Sequence, residues 1–308
     1  MRAIMTSRLF WLGAAGLVAA LVLPFWVSGY VLGLLTVAWY TAVFAMSWDL
    51  LFGFAGEVNF GPTFLIGLGA YTAGILDSQF SPGLSIWWCI LAGAASAVIG
   101  GVVLALPALR LSGPYFGLTT LVAVLMLQNF IVVFADLTGG EIGLSVPDVI
   151  TIDARLNYLI AFGFMLVSGG ILFGLSRSAI GLILQASGQD AVQAGALGFN
   201  VAKHKLFAFA VSAFFSGLAG ALMVFYLGTA SVGTFVDIGV GVQIIIAAVL
   251  GGRRTVLGAA LGAVFLIVMG EALRPLGELA TLIVSVTALA VILFFPNGFL
   301  GMIRGSNA

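Results

Sequence analysis

Glu57 and Asn59 stand two residues apart in a glycine-rich stretch, Gly53-Phe54-Ala55-Gly56-Glu57-Val58-Asn59-Phe60-Gly61-Pro62. An acid and an amide in a broken helix suit the passage or gating of a polar solute. Broken helices expose backbone N–H and C=O groups, tolerable at membrane depth only where protein or a wet cavity surrounds them. The plainer reading makes Glu57 an acid at a cytoplasmic helix end, with Pro62 opening the next helix. The sequence leaves both open. Asp49 reads similarly but lies nearer water. Gln128 and Asn129 fall deep in an apolar run that begins near Pro114. Two amides there need partners. They either line a polar path or tie two helices together, and the tie is favoured.

Other chemistry is hard to build. The lone histidine, His204, supports neither a Ser-His-Asp set nor a metal centre, and reads as a solvated loop residue. The lone cysteine, Cys89, excludes a disulfide framework and reads as packing. No phosphate-cradling Gly-Lys-Ser/Thr occurs, because neither Lys203 nor Lys205 follows a glycine. No metal site and no catalytic residue is expected.

The elements that hold these residues follow from composition. The chain has 308 residues, 62% apolar and only 7% charged. Soluble domains carry about 25% charged residues. Eleven basic and eleven acidic residues cannot coat a water-soluble globule of this size, and they cancel, leaving no field for nucleic acid. The chain reads as all-α, a polytopic bundle of transmembrane helices with no soluble domain.

Charges punctuate the spans. A crossing helix needs about 20 apolar residues. The uncharged stretches are 9–48, 58–76, 78–109, 111–135, 156–176, 206–236, 238–252, 255–270 and 279–303. The first holds two helices, divided at Pro24 and Ser28-Gly29, which gives about ten spans. The stretches 238–252 and 255–270 are short and glycine-interrupted. They are either full spans or a re-entrant pair, with full spans favoured. Residues 1–28 lack a clear cleavage site and run on into apolar sequence, so they read as a span rather than a signal peptide.

Lysine and arginine set the orientation. With both termini cytoplasmic, Arg2, Arg8, Arg110, Arg177, Lys203, Lys205, Arg253, Arg254 and Arg304 fall inside, and only Arg155 and Arg274 outside. Residues 136–155 form an acidic external loop. Residues 177–205 form a cytoplasmic loop in which 187–197 reads as a short amphipathic surface helix, stopped by Gly198-Phe199-Asn200. Ten spans divide as five plus five, which would make the halves inverted. Each half has a glycine-broken patch, the second being Gly251-Gly252-Arg253-Arg254. The 42 glycines produce small-xxx-small pairs at Gly29/Gly33, Gly113/Gly117, Gly170/Gly174 and Gly258/Gly262. Such pairs read as generic close packing.

Six stretches in order resemble one family. These are SWDLLFGFAGEVNFGPTFLIGLGAYTAG from Ser47 to Gly74, RLSGPYFGLTTL from Arg110 to Leu121, and TGGEIGLS from Thr138 to Ser145. There follow AGALGFNV from Ala194 to Val201 with Lys205 and Ala208-Phe209, then Val249-Leu250-Gly251-Gly252, and finally Pro296-Asn297-Gly298-Phe299-Leu300-Gly301. Together they are similar to the LivM-type inner-membrane permeases of bacterial branched-chain amino acid ABC importers. The resemblance implies a multi-pass inner-membrane protein, a second LivH-type permease, two cytoplasmic ATPases and a periplasmic substrate-binding protein. It implies no cofactor in this chain, with ATP and Mg held by the ATPases, and surrounding lipid rather than nucleic acid. On that reading Glu57, Asn59, Phe60, Gly61, Tyr115, Thr119 and Gln128 are the candidates for the translocation path. Asp190, Ala194, Leu197, Gly198, Phe199 and Asn200 are the candidates for ATPase coupling.

The departures carry their own expectations. Where the family's coupling loop is charged, this chain has Leu182, Gln185, Gly188 and Gln189, so docking should rest on shape and apolar contact. Glu57, Asn59 and Pro62 replace the family's usual Gln, Ser and His. If that segment lines the path, the substrate extends from branched-chain amino acids to a related small amino acid, amide or organic acid. Arg253-Arg254 replaces a second family glycine and suits an ATPase or anionic lipid. The competing reading, a stand-alone secondary transporter or channel, would use Glu57 and Asp49 as coupling acids. A membrane-embedded enzyme lacks the residues for it.

Overall fold

The computed structural model describes residues 16–277 except Pro82, Ser112 and Gly113, together with scattered positions from 279 to 298. Arg2, Arg8, Arg304 and most of the expected span 279–303 lie outside the described residues.

The expected break at Pro24 and Ser28-Gly29 is present. An apolar helical segment closes in a 3-10 turn at Leu23–Phe25, and Ser28 in extended conformation starts the next helix. That helix, α1 (Gly29–Asp49), runs into a π-helical turn, Leu50–Phe54. The chain re-enters helix at Pro62, where a missing N–H costs nothing. Helix α2 is Pro62–Phe80, α3 Ile86–Ala108, α4 Pro114–Val133 and α5 Ala154–Arg177. Two short helices follow, α6 (Ala179–Gln189) and α7 (Ala191–Ala196). Then come α8 (Val201–Leu227), α9 (Ile238–Gly251) and α10 (Leu257–Leu273). Seven of the described helical segments are long and apolar enough to cross a membrane. α2, with 19 residues, packs among them against α3 and α8. The protein is an all-α, multi-pass membrane protein. Among the described residues the single departure is a two-residue antiparallel ladder, Leu144–Ser145 on Thr229–Ala230, which anchors the 136–155 loop.

The centre is α8. Its core window is 72% buried, against 28–39% for the outer helices α3, α4, α5 and α10 and the 232–251 segment that contains α9. With α2 and α3 it forms the tightest trio, and the reason is glycine. A methyl group on Gly69 would stand 2.1 Å from the Gly217 carbonyl oxygen, and one on Gly93 would stand 2.5 Å from that of Gly69. Three backbones therefore touch at Gly69, Gly93 and Gly217, trading side-chain volume for dispersion contact between main chains. The spacing rule found a different set. Of its four pairs, Gly258/Gly262 does pack, against Gly251 and Ala247, whereas Gly29, Gly170 and Gly174 face open space. Gly113 lies outside the described residues. Periodicity marks small residues but does not say which helix face meets a neighbour.

Helix α1 organises the second group, packing on α5, α9 and α10. Tyr30 at its start donates to Glu271 near the end of α10, while Asp49 at its end meets Val256 at the start of α10. α10 thus runs the whole length of α1, as a full span does. α9 is shorter. A helical turn at Val232–Phe235 precedes it, and a step at Val236-Asp237, with Asp237 extended, separates the two.

Charges sort to the two ends of the bundle. Arg177, Lys205, Arg253 and Arg254 gather around the 50–57 break, whereas Arg155 lies over Phe25 and Arg274 bonds Tyr30 at the far end.

Candidate functional site

The break after α1 is held by side chains that a sequence scan left uncommitted. Asp49 is fully buried. Its Oδ1 accepts from the Arg254 N–H at 3.1 Å, and its Oδ2 from the N–H groups of Thr255 and Val256 at 3.1 and 3.0 Å. The expectation of an acid near water is thereby corrected. A carboxylate survives burial when several donors converge on it. The bonds hold a strained turn, since Arg254 has φ 61° and Val256 φ 41°. Arg254 Nε also donates to the Gly53 carbonyl at 2.8 Å, and the Arg253 guanidinium lies 4.3 Å from the Phe52 ring centroid. Both oxygens of Asp49 thus accept from the backbone of the turn before α10.

Glu57 is also paired. Lys205 Nζ donates to its Oε1 at 2.5 Å, with both side chains mostly shielded. Lys205 lies in the first turns of α8, so this bond joins the break to the central helix. His204, one position earlier, is on the helix rather than in a loop, with Nδ1 2.7 Å from the Asn200 carbonyl.

Beyond Glu57 the chain turns inward. Trp48 Nε1 donates to the Asn59 carbonyl at 2.6 Å, and Asn59 Oδ1 accepts from the Gly61 N–H at 2.8 Å. The Phe60 N–H donates to Thr120 Oγ1 at 3.0 Å. Thr120 lies six residues into α4, so the break penetrates about 9 Å along that helix. A methyl group on Gly61 would overlap the Thr120 carbonyl at 2.2 Å, so only glycine fits the crossing.

The expected path residues divide accordingly. Glu57, Asn59, Phe60 and Gly61 form one connected segment. Asn59 and Gly61 are buried, while Phe60 is exposed. Tyr115 is exposed, and Thr119 bonds the Tyr115 carbonyl within its own helix at 2.9 Å. Both lie on an α4 face that the other described residues leave largely uncovered. Gln128 is the helix tie that was favoured, donating to the Val236 carbonyl at 3.0 Å. That carbonyl lies in the step before α9, where it has no intrahelical partner. Asn129 is not a tie. It bonds the Leu125 carbonyl of its own helix and lines an open groove with Met126 and Phe130.

The 177–205 segment differs from the single helix expected over 187–197. Asp190 interrupts it, capping α7 by accepting from the N–H groups of Val192 and Gln193 at 2.9 Å each. α6 covers 179–189, well ahead of the expected start. Ser178, which accepts from the Gly181 N–H, was the available signal for that start. Among the expected coupling residues, Leu197, Gly198, Phe199 and Asn200 are exposed, with Leu197 at 75%. Ala194 is turned inward, and Val192, at 82% exposure, presents the apolar surface instead. Asn200 accepts from the Lys203 N–H and starts α8. At the junction of this helical pair, where α6 ends, Gly188 packs on the break, and a methyl group on it would stand 2.6 Å from the Phe54 carbonyl. Gly56, at φ 73°, meets Gly188 in return. No sequence signal singled out this pair of glycines.

A multi-pass helical bundle with a re-entrant break, braced against a helical loop that presents apolar side chains, has the architecture of a membrane permease. The chain belongs to the family described as branched-chain amino acid transport system / permease component, whose model matches residues 30–296. It is similar to the high-affinity branched-chain amino acid transport system permease protein LivM of Escherichia coli (strain K12), at 26% identity over 322 residues. That match covers 94% of this chain and 74% of the relative. The protein of the same name from Salmonella typhimurium (strain LT2) is 27% identical over 323 residues, with the same coverage. The likeness to LivM-type permeases read from six motifs thus extends over nearly the whole chain.

Proposed function

We propose that this chain is the permease subunit of an ABC importer in a bacterial inner membrane. Its cargo is a branched-chain amino acid or a related small amino acid, amide or organic acid. The observation that carries the reading is the family match over residues 30–296. The chain acts as a non-catalytic part, with ATP and Mg held by two cytoplasmic ATPases. A second permease completes the path, and a periplasmic binding protein delivers cargo.

On this reading residues 1–308 form one domain of ten spans in two inverted halves, with both termini cytoplasmic. Eight described helices from Gly29 to Leu273 support eight of these spans, and the sequence stretches 9–28 and 279–303 supply the first and last of the expected ten. The cytoplasmic end is the one where Arg177, Lys205, Arg253 and Arg254 gather, as the positive-inside rule requires. The path runs between the two permeases, along the uncovered α4 face that carries Tyr115, Thr119 and Asn129. Val192, Leu197 and Phe199 seat in the ATPases.

The mechanics follow from rigid contacts. ATPase closure pushes α7 and α6. Gly188, touching Phe54–Gly56, passes the displacement to the break. The Glu57–Lys205 pair carries it to α8, and α8 to the trio it forms with α2 and α3. The path then opens to one side at a time.

The test is reconstitution in vesicles with a co-purifying permease, ATPases and binding protein. ATP-dependent uptake of a branched-chain amino acid or a related solute is expected. Uptake by the chain alone, driven by an ion gradient, overturns the reading in favour of a secondary transporter.

A further inference from the structure

A cavity of about 290 Å³ opens where four elements meet beside the break. Arg177 at the end of α5 and Arg254 in the turn before α10 both line it. Phe54 of the π-helical turn, Phe173 and Ser176 of α5, Leu182 and Gln185 of α6, and Thr255 beside Arg254 complete its wall. Arg254 is oriented by its Nε bond to the Gly53 carbonyl, which leaves its two terminal nitrogens for the cavity. The Arg177 guanidinium lies 5.0 Å from the Phe173 ring centroid. Among the described residues neither guanidinium forms an ion pair with a carboxylate. Asp49, the acid bonded to this turn, is occupied by three backbone N–H groups.

Two like charges lining one cavity repel unless an anion lies between them. Guanidinium forks match the oxygens of a phosphate, and Gln185 adds a neutral donor, whereas the Ser176 hydroxyl is spent on the Phe173 carbonyl at 2.7 Å. The cavity sits at the ends of membrane-spanning helices, the depth of lipid headgroups.

We propose that this cavity is a binding site for a phosphate group, held between Arg177 and Arg254. The bound group bridges α5, α6, the break and the α9–α10 turn. It therefore stabilises the docked position of α6, the helix whose Gly188 touches the break. The site is separate from the translocation path and from the exposed apolar docking residues. Its chemistry is met by an anionic lipid headgroup or by free phosphate.

The full-length chain in neutral detergent is titrated with dihexanoyl phosphatidylglycerol, dihexanoyl phosphatidylcholine and inorganic phosphate, with thermal unfolding as readout. Phosphatidylglycerol should raise the midpoint and phosphatidylcholine should not. Arg177→Gln should weaken the response about tenfold, the scale of one lost charge-assisted bond. Arg177 sits at an exposed helix end, so this variant should fold as the parent does, which circular dichroism checks. Lys203→Gln, a charge removed elsewhere on the same end, should leave the response unchanged. Protection by inorganic phosphate at similar concentration supports the site and assigns it to free phosphate. Protection by phosphatidylglycerol alone supports it and assigns it to lipid. Equal effects of the two lipids with no protection by inorganic phosphate, or equal losses in Arg177→Gln and Lys203→Gln, overturn the proposal.

Discussion

Glu57 and Lys205, 148 positions apart in the chain, meet at 2.5 Å and tie the break after α1 to the start of α8. The pair is mostly shielded, so losing one partner leaves a poorly solvated charge behind. Glu57→Gln should therefore cost roughly 1–3 kcal/mol in stability and lower coupled transport. Exchanging the two residues, Glu57→Lys with Lys205→Glu, should recover part of both losses. A double-mutant cycle measures this directly. If the exchange is as damaged as the sum of the single variants, the pair does not act as a link.

Asp49 offers a second test. Three backbone N–H groups converge on its two oxygens. Asp49→Asn keeps one acceptor oxygen and places an amide group against donors. A loss of roughly 2–4 kcal/mol is expected, read as a lower unfolding midpoint. Asp49→Glu should not rescue it, because the longer side chain has no room beside Gly53, Cα-substitution of which already meets Asp49. A wild-type midpoint for Asp49→Asn would contradict the assigned geometry.

The glycines predict a contrast. Gly217→Val should abolish folding, since even a methyl group there would stand 2.2 Å from the Ala97 side chain. Gly170→Ala and Gly174→Ala have open space around them and should change stability by no more than about 0.5 kcal/mol. Expression level and size-exclusion profile distinguish the two classes. Equal tolerance at both would refute the backbone contact between α2, α3 and α8.

The exposed end of the α6–α7 loop predicts a variant that folds and does not couple. Leu197→Asp places a charge where an apolar surface is offered, and Gly198 holds φ 89°, which a side chain would strain. Leu197→Asp with Gly198→Glu should leave the unfolding midpoint within a few degrees and lower ATPase co-purification at least tenfold, a loss of about 1.4 kcal/mol or more in binding. Normal ATPase stimulation would move the docking surface elsewhere. Val192→Asp should behave alike, and Ala194→Ser, on the inward face, should not.

What could be read from the residues depended on local rules. The break at Pro24 and Ser28-Gly29, the re-entry at Pro62 and the helix stop near Gly198 all follow from backbone preferences of single residues. The start of α6 was misplaced because alanines near 187–197 outweighed Ser178, a cap that works through one hydrogen bond. The division at Asp190 was missed for the same reason. Its carboxylate satisfies the next helix rather than continuing the previous one.

By itself the sequence determined that this is a helical membrane protein, where its proline- and glycine-marked breaks fall, and which family it belongs to. Hydrophobic length and charge spacing are properties of the chain in order, and the bilayer reads them in that order. Only the tertiary structure decided the fate of the acids and the glycines. Asp49 and Glu57 look alike in sequence, yet one holds three backbone N–H groups and the other a lysine. Gly69 and Gly170 look alike too, yet one touches backbone and the other faces open space. Those differences depend on which distant segment lies opposite, and that is settled only when the helices pack.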